Sequence, residues 1–129
     1  MIVLDTHVWL WWRGVPELLS KVARTAIESS DAIGISVISC FEVARLADEE
    51  RITLAMDVRS WVRHALAGER VRLVGLDAEV AVTAALLDRR HFPGDPADRM
   101  IFASARAIGA RLVTKDRRLL AFDESSTVW

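Results

Sequence analysis

Short apolar runs alternate with longer stretches of helical periodicity, and this alternation restricts the fold more than any other feature of the chain. The strand-like runs are residues 1–5, 32–37, 71–76, 110–115 and 126–129. The segments with a helical pattern are residues 6–12, 16–30, 39–51, 55–69, 77–90, 96–109 and 116–122. Such alternation is typical of strand-helix-strand units around a parallel sheet. The sequence therefore predicts a continuous α/β sandwich.

The size and charge of the chain limit what it can be. Its 129 residues are enough for one domain, and we expect that domain to span residues 1–129. Lys and Arg total 17 against 18 Asp and Glu, so the net charge is −1. A protein that coats nucleic acid by bulk electrostatics usually has a basic excess. Any contact with nucleic acid is therefore expected to be local, through clustered basic residues.

The single cysteine, Cys40, excludes an internal disulfide and a thiolate metal cluster. This usage suits a reducing cytoplasm, where we expect the protein to act. No run approaches the roughly 20 apolar residues of a membrane span. The N-terminal run contains Asp5 and His7 and lacks a basic start, so we expect neither an export signal nor a membrane location.

Acidic residues lie where the predicted strands end. Asp5 ends the first run, Glu42 lies in the first turn of the helix after the second run, and Asp116 follows residues 110–115. The carboxyl ends of parallel strands meet at one edge of a sheet, so these side chains are expected to converge there. Asp98 lies at the border of the apolar arc of its helix, and we expect it to be half-buried and to join them.

Each of these acids also has a purely structural interpretation. Asp5 and Asp116 can cap the helices that follow them. Ser39 and Glu42 match the S-x-x-E capping box, in which the glutamate reaches back to the serine backbone. Taken singly, these residues leave the structural and the functional interpretation open.

The stretch HFPGDPADRM, residues 91–100, presents the same choice. Asp95 can cap the helix, Pro96 suits the first helical position, and Asp98 complements the helix dipole. His91 is expected to be a loop residue that supports the site rather than a metal ligand.

Several carboxylates in one partly desolvated pocket repel one another, so they must take up protons or share a cation. Mg²⁺ or Mn²⁺ fits this set better than Zn²⁺, because no cysteine cluster or closely spaced histidine pair is present. Without a glycine-rich phosphate loop, such a pocket favours metal-dependent hydrolysis of a phosphodiester.

Four segments together resemble the PIN-domain proteins of the VapC toxin type, along nearly the whole chain. These segments are IVLDTHVWLWW with Asp5, SVISCFEVARL with Glu42, HFPGDPADRMIFASA with Asp98, and RLVTKDRRL with Thr114 and Asp116. The resemblance implies a PIN-like three-layer α/β/α sandwich with a mostly parallel sheet. It also implies a Mg²⁺- or Mn²⁺-dependent endoribonuclease, with RNA as substrate.

The resemblance further implies how the residues divide the work. Asp5, Glu42, Asp98 and Asp116 would be the catalytic metal ligands, Thr114 a supporting hydroxyl, and Asp95 the helix cap. It implies a toxin restrained by a small VapB-like antitoxin, and a homodimer. The segment VARLADEERI after Glu42 is more acidic than expected near an RNA path, so the RNA preference stays open.

Basic residues near these acids are candidate phosphate contacts, although they also suit a solvated helix surface. They are Arg99, Lys115, Arg117 and Arg118. Trp9, Trp11 and Trp12 share one short helix and cannot all point inward. We expect Trp9 or Trp12 in the core, with the remaining rings available to a partner helix or a second subunit.

Two other functions compete with a ribonuclease. A receiver-like or phosphatase-like domain would need a second acid beside the first strand end, and Asp5 stands without one. A catalytically silent PIN-like domain that only binds a protein partner is the main alternative, against which the intact set of four acids argues.

Overall fold

The computed structural model describes residues 1–88, 90–92 and 94–129. Its strands are β1 (Ile2–Leu4), β2 (Ile33–Ser36), β3 (Val71–Val74), β4 (Arg111–Val113) and β5 (Thr127–Val128). They form one sheet in the order β3-β2-β1-β4-β5, and each neighbouring pair is parallel. The predicted α/β fold with a parallel sheet is confirmed.

The helices connect these strands as the alternation predicts. They are α1 (Thr6–Gly14), α2 (Lys21–Ser29), α3 (Val37–Asp48), α4 (Val58–Leu66), α5 (Ala78–Leu86), α6 (Pro96–Ala107) and α7 (Arg117–Phe122). The helix predicted over 77–90 includes Arg89, and the loop of residues 91–95 includes Pro93; both residues lie outside the described part of the chain. No helix within that part is long and apolar enough to cross a membrane.

The single helix predicted over residues 16–30 is wrong. Pro16–Leu18 forms a 3₁₀ turn, and α2 begins only at Lys21. Ser20 starts the helix because its side chain accepts a hydrogen bond from the backbone N–H of Ala23. A local cap therefore divides one apolar pattern into two elements.

The predicted capping box of Ser39 and Glu42 is also wrong. Helix α3 begins at Val37, and the residue that caps it is Ser36, whose hydroxyl accepts from the N–H of Ile38. Ser39 is consequently inside the helix and Glu42 one turn further along than expected. Both side chains are thereby free to make contacts outside the helix.

Alternation along β1 divides the core between the two faces of the sheet. Leu4 belongs to a cluster with residues of α1, α2 and α4, while Val3 belongs to a cluster with residues of α6 and α7. The three-layer arrangement is confirmed. Among the tryptophans of α1, Trp9 is fully buried, whereas Trp11 and Trp12 are partly exposed.

The sheet packs closely at Gly34 in β2. A Cβ at this position would lie 2.9 Å from Cγ2 of Val74 and 3.0 Å from Cγ2 of Val3. Both neighbours are buried core residues, so neither can move away freely. The absence of a side chain at Gly34 is what lets β1, β2 and β3 keep their register beneath α6.

We expect Gly34→Ala to lower the free energy of unfolding by about 1–3 kcal/mol, because the added methyl overpacks the core. Gly75→Ala is the matched control: a Cβ there meets nothing within 4 Å. Urea denaturation measures both. Equal stability of the two variants would contradict the close packing.

Candidate functional site

The pairing of β1 with both β2 and β4 sets the floor of the site. Leu4 pairs with Ile35 on one side and with Val113 on the other, so three strand ends lie side by side. Asp5, directly after β1, donates its backbone N–H to the carbonyl of Val113 at 3.0 Å. A cavity of about 680 Å³ opens above this edge. Its lining includes all four predicted acids, Asp5, Glu42, Asp98 and Asp116.

Asp5 is held in place through both carboxylate oxygens. Oδ1 accepts from the backbone N–H of Thr6 at 2.8 Å, and Oδ2 accepts from the hydroxyl of Thr114 at 2.8 Å. Thr114 is fully buried, so its hydroxyl has a fixed position. This hydrogen bond is the kind of contact that a supporting hydroxyl would make, and the role of Thr114 at a metal site stays a prediction. Asp5 also caps α1, which means that its structural and functional interpretations are compatible.

Glu42 extends into the site from α3 and is held there by a hydrogen bond from the buried hydroxyl of Thr6. The hydroxyl of Thr6 lies 2.6 Å from Oε1 of Glu42 and 3.0 Å from Oγ of Ser39. Thr6 and Ser39 are both buried. This contact joins α1 to α3 and fixes one oxygen of the Glu42 carboxylate. Sequence reasoning missed it, although the hydroxyl-acid pattern DT at the end of the first strand was a usable signal.

Asp98 and Asp95 close a reciprocal capping box at the start of α6. Oδ1 of Asp95 accepts from the N–H of Asp98 at 2.9 Å, and Oδ2 of Asp98 accepts from the N–H of Asp95 at 3.1 Å. Asp98 is half-buried, as expected, and Asp95 is exposed. Asp95 has the capping role predicted for it, and Asp98 combines a capping contact with a place in the cavity wall.

Asp116 is paired with a cation of its own chain. Oδ2 of Asp116 lies 2.9 Å from Nη2 of Arg118, and Oδ1 accepts from the backbone N–H and from Nε of Arg118. This pairing holds the pKa of Asp116 below its usual range. Asp116 also caps α7, as the structural interpretation predicted.

Burial and mutual repulsion act on the other three acids. Burial is the main cause that raises the pKa of Asp5. Glu42 has a raised pKa for the same reason, with a further contribution from the charge of Asp5. Burial and then the charge of Asp5 raise the pKa of Asp98 to about 7. Together, ionised carboxylates at this edge carry an unfavourable charge that a bound cation would relieve.

The chemistry of this donor set fits a hard divalent cation. Glu42 and Asp98 each have one carboxylate oxygen that accepts no hydrogen bond within the described ranges. Among the described residues, there is no group of three or more His, Cys, Asp or Glu side chains arranged to hold a metal ion. The carboxylates instead accept from Thr6, Asp95, Thr114 and Arg118. The oxygen donors and their mutual repulsion thus fit Mg²⁺ or Mn²⁺ in kind.

The rim of the cavity is basic. Lys115, Arg117 and Arg118 line it from the loop and helix after β4, and Arg45 and Arg51 line it from the opposite side. The first three were predicted from sequence and the last two were missed. Arg45 pairs with Glu49 at 3.5 Å, so the acidic segment after Glu42 partly offsets its own arginines.

The prediction that Arg99 contacts phosphate is wrong. Its Nη1 donates to the backbone carbonyls of Ala84 and Leu87 at 3.2 and 2.8 Å, and its guanidinium lies over the ring of Phe92. Arg99 therefore ties α6 to the end of α5. His91 lies in an exposed turn against Asp88 and does not line the cavity, in agreement with its expected loop position.

Comparison with known proteins connects this geometry to one family. The model of the PIN domain matches residues 2–125. Ribonuclease VapC22 from Mycobacterium tuberculosis is 48% identical to this chain over 130 residues, which is 99% of this chain and 98% of the relative.

Solved structures of other proteins have the same fold. A toxin-antitoxin complex from Klebsiella pneumoniae has a TM-score of 0.72 at 21% identity, covering 100% of this chain and 97% of that chain. VapBC2 from Rickettsia felis, bound to a DNA fragment from its promoter, has a TM-score of 0.70 at 17% identity, with coverage of 99% and 98%. At such identities these structures establish the fold alone.

Thr6→Val should lower the free energy of unfolding by about 1–3 kcal/mol, because it removes the hydroxyl that donates to the Glu42 carboxylate and leaves Ser39 without its buried hydroxyl partner. Thr6→Ser keeps the hydroxyl and should lose much less. Chemical denaturation of both variants provides the comparison. If valine and serine are equally tolerated, the hydroxyl does not hold α3 to α1.

Asp98→Asn should raise the melting temperature of the protein at pH 8 in EDTA. The pKa of Asp98 rises from 3.8 to about 7 on folding, so its ionisation removes stability as the pH rises between these values. The asparagine side chain has no charge and therefore avoids this loss of stability. Its amide oxygen can still accept a hydrogen bond from the backbone N–H of Asp95. The advantage of the variant should therefore shrink as the pH falls toward 4.

Asp31→Asn, which removes an exposed acid outside the cavity, is the control for net charge. Thermal unfolding followed by circular dichroism at several pH values measures all three proteins. An Asp98→Asn variant no more stable than wild type at pH 8 would show that neither burial nor the charge of Asp5 disfavours ionisation of Asp98.

Proposed function

Because the chain belongs to the PIN-domain family and has a VapC ribonuclease as a relative along its whole length, we propose that it is a metal-dependent endoribonuclease. Asp5, Glu42, Asp98 and Asp116 would hold one or two ions of Mg²⁺ or Mn²⁺. The observation that carries this proposal is that all four carboxylates line one open cavity at the carboxyl edge of the sheet. In a parallel α/β fold, this edge is where sites are placed.

When bound, the divalent ion supplies a Lewis acid for the phosphoryl oxygens and lowers the pKa of an attacking water. The residues of the chain prepare this chemistry. Thr114 orients Asp5, and Thr6 orients Glu42. These two carboxylates are therefore already positioned before the substrate binds, and no further side-chain entropy is lost in placing them. The raised pKa of Asp98 means that it binds a cation with release of its proton near neutral pH.

The basic rim supports an RNA substrate. Lys115 and Arg117 are exposed and lie on the cavity wall next to Asp116. With a net charge of −1, the surface as a whole does not attract RNA, so binding depends on these local cations. Arg118 pairs with Asp116 in the structure. In the complex, Arg118 would pair with an RNA phosphate and Asp116 with the metal ion.

The VapC relationship also supports a biological setting for this proposal. The protein acts as the toxin of a toxin-antitoxin pair and is restrained by a VapB-like antitoxin. It forms a homodimer and acts in the cytoplasm, where its RNA substrate is found. The partly exposed Trp12 and the apolar groove between α3 and α4, lined by Cys40 and Val62, are surfaces available to these partners.

We expect the purified, antitoxin-free chain to cleave RNA from a cellular pool when Mn²⁺ or Mg²⁺ is present, and we expect this cleavage to stop when EDTA is added. Asp5→Asn should lower the rate by about 100-fold or more, as loss of a preorganised charged group in an active site does. Gel electrophoresis of the RNA measures the products.

Asp31→Asn should cleave like wild type. Cleavage that persists in EDTA, or at full rate in Asp5→Asn, would contradict the proposed site. A wild-type chain that binds Mn²⁺ but leaves all RNA intact would favour the silent partner-binding domain instead.

A further inference from the structure

His7 and Trp11 form an aromatic wall of the cavity that the four acids also line. His7 and Trp11 lie one turn apart on α1, so they share a helix face, and both line the same cavity as Asp5 and Asp98. Their ring centroids are 6.1 Å apart with planes tilted by 52°. His7 is exposed and Trp11 partly exposed, so an approaching ligand meets their rings. Neither residue is among the four proposed metal ligands.

The ring of Trp11 is held in place by its neighbours. Trp129 packs against it with ring centroids 5.9 Å apart and planes tilted by 60°. Trp11 also packs on the buried cluster that contains Val8 and Trp9. A ring fixed in this way loses little conformational entropy when a ligand stacks on it.

Lys115 connects the aromatic wall to the acids. Its ammonium lies 5.5 Å from the ring centroid of Trp11, within the range of a cation–π contact. The preceding residue, Thr114, binds the carboxylate of Asp5. Within the described residues, no carboxylate lies within 4.0 Å of this ammonium. An aromatic face, a cation and the proposed metal ligands therefore follow one another along the wall.

We infer that Trp11, with His7 and Lys115, forms a subsite for an unpaired nucleobase of the RNA next to the phosphate that is cleaved. This inference rests on the proposed function. The base stacks on the indole and imidazole, and Lys115 binds the adjoining phosphate. Asp5 caps α1, and Trp11 is six residues further along, about 9 Å along the helix axis, so one RNA strand reaches both.

The chemistry of the wall selects the class of ligand. Every base has a π-face, and its stacking on an aromatic residue contributes about 1–3 kcal/mol, whatever the base identity. A paired base inside a helix has both faces covered and cannot use this wall. The subsite therefore favours unpaired RNA over duplex and distinguishes a base from a bare sugar-phosphate chain.

The neighbouring tryptophan provides a matched control. Trp12 is also on α1 and partly exposed, but it does not line the cavity, and Arg13 lies over its ring at 5.9 Å. Trp12→Leu removes the same ring from the same helix without touching the proposed subsite. Trp11→Leu keeps apolar bulk against Trp129, and Trp11→Phe keeps an aromatic face.

The test uses two fluorescent probes: a ten-nucleotide single-stranded RNA of mixed sequence, and an oligomer of the same length in which every base is absent. Fluorescence anisotropy with Mn²⁺ measures their affinities, with all proteins in an Asp98→Asn background so that the RNA survives. Trp11→Leu should weaken binding of the RNA about five-fold or more, from the stacking contribution above, and leave the abasic oligomer unchanged. Trp11→Phe should restore RNA binding, and Trp12→Leu should change neither affinity.

Lys115→Gln should weaken both oligomers equally, because it removes a phosphate contact. Equal losses for both probes in Trp11→Leu, or no loss for either, would overturn the subsite. If that result came with metal-dependent cleavage by the wild-type chain, the ribonuclease would stand and only the subsite would fall. An absence of both cleavage and RNA binding in wild type would instead reject the function, and the subsite with it.

Discussion

The parallel pairing of β1 with β2 on one side and with β4 on the other is the constraint on which the site depends. It aligns three strand ends at one edge, and each is followed by a helix whose first turns face that edge. The close packing at Gly34 keeps β1, β2 and β3 in register below this point. If the register of any of these strand pairs shifted by one residue, the side chains of the shifted strand would point to the opposite face of the sheet.

The electrostatics of the edge follow from this geometry. Asp5 is closest to the centre of the sheet, and its charge raises the pKa of both Glu42 and Asp98. The structure offsets this repulsion with hydroxyl and backbone donors for three of the acids, and with Arg118 for Asp116. A cation bound among these carboxylates would relieve the repulsion and stabilise the folded protein.

Helix caps and proposed metal ligands coincide in this structure. Asp5, Asp98 and Asp116 all accept backbone N–H groups at the start of a helix while lining the cavity. The choice between a structural and a functional interpretation, which the sequence poses for each acid, therefore has no single answer. One oxygen of each carboxylate accepts a hydrogen bond from the start of the helix, and the same side chain also lines the cavity.

How much the sequence predicts depends on whether a feature is local. The positions of the acids relative to the apolar runs were enough to predict that Asp5, Glu42, Asp98 and Asp116 lie together. The capping box of Ser39 and Glu42 failed because the end of β2 and the Ser36 cap decide where α3 begins. Arg99 failed because the packing of α5 against α6, which no local pattern shows, gives its guanidinium two carbonyl partners.

A crystal of the protein grown with Mn²⁺ tests the central claim most directly, through an anomalous difference map recorded at the manganese absorption edge. The account predicts a peak in the cavity with oxygens of Asp5 and at least one of Glu42, Asp98 and Asp116 about 2.0–2.5 Å away, as expected for hard cations on carboxylates. A cavity without a peak at saturating Mn²⁺, with the carboxylates still bound to their own hydroxyl and arginine partners, would contradict it.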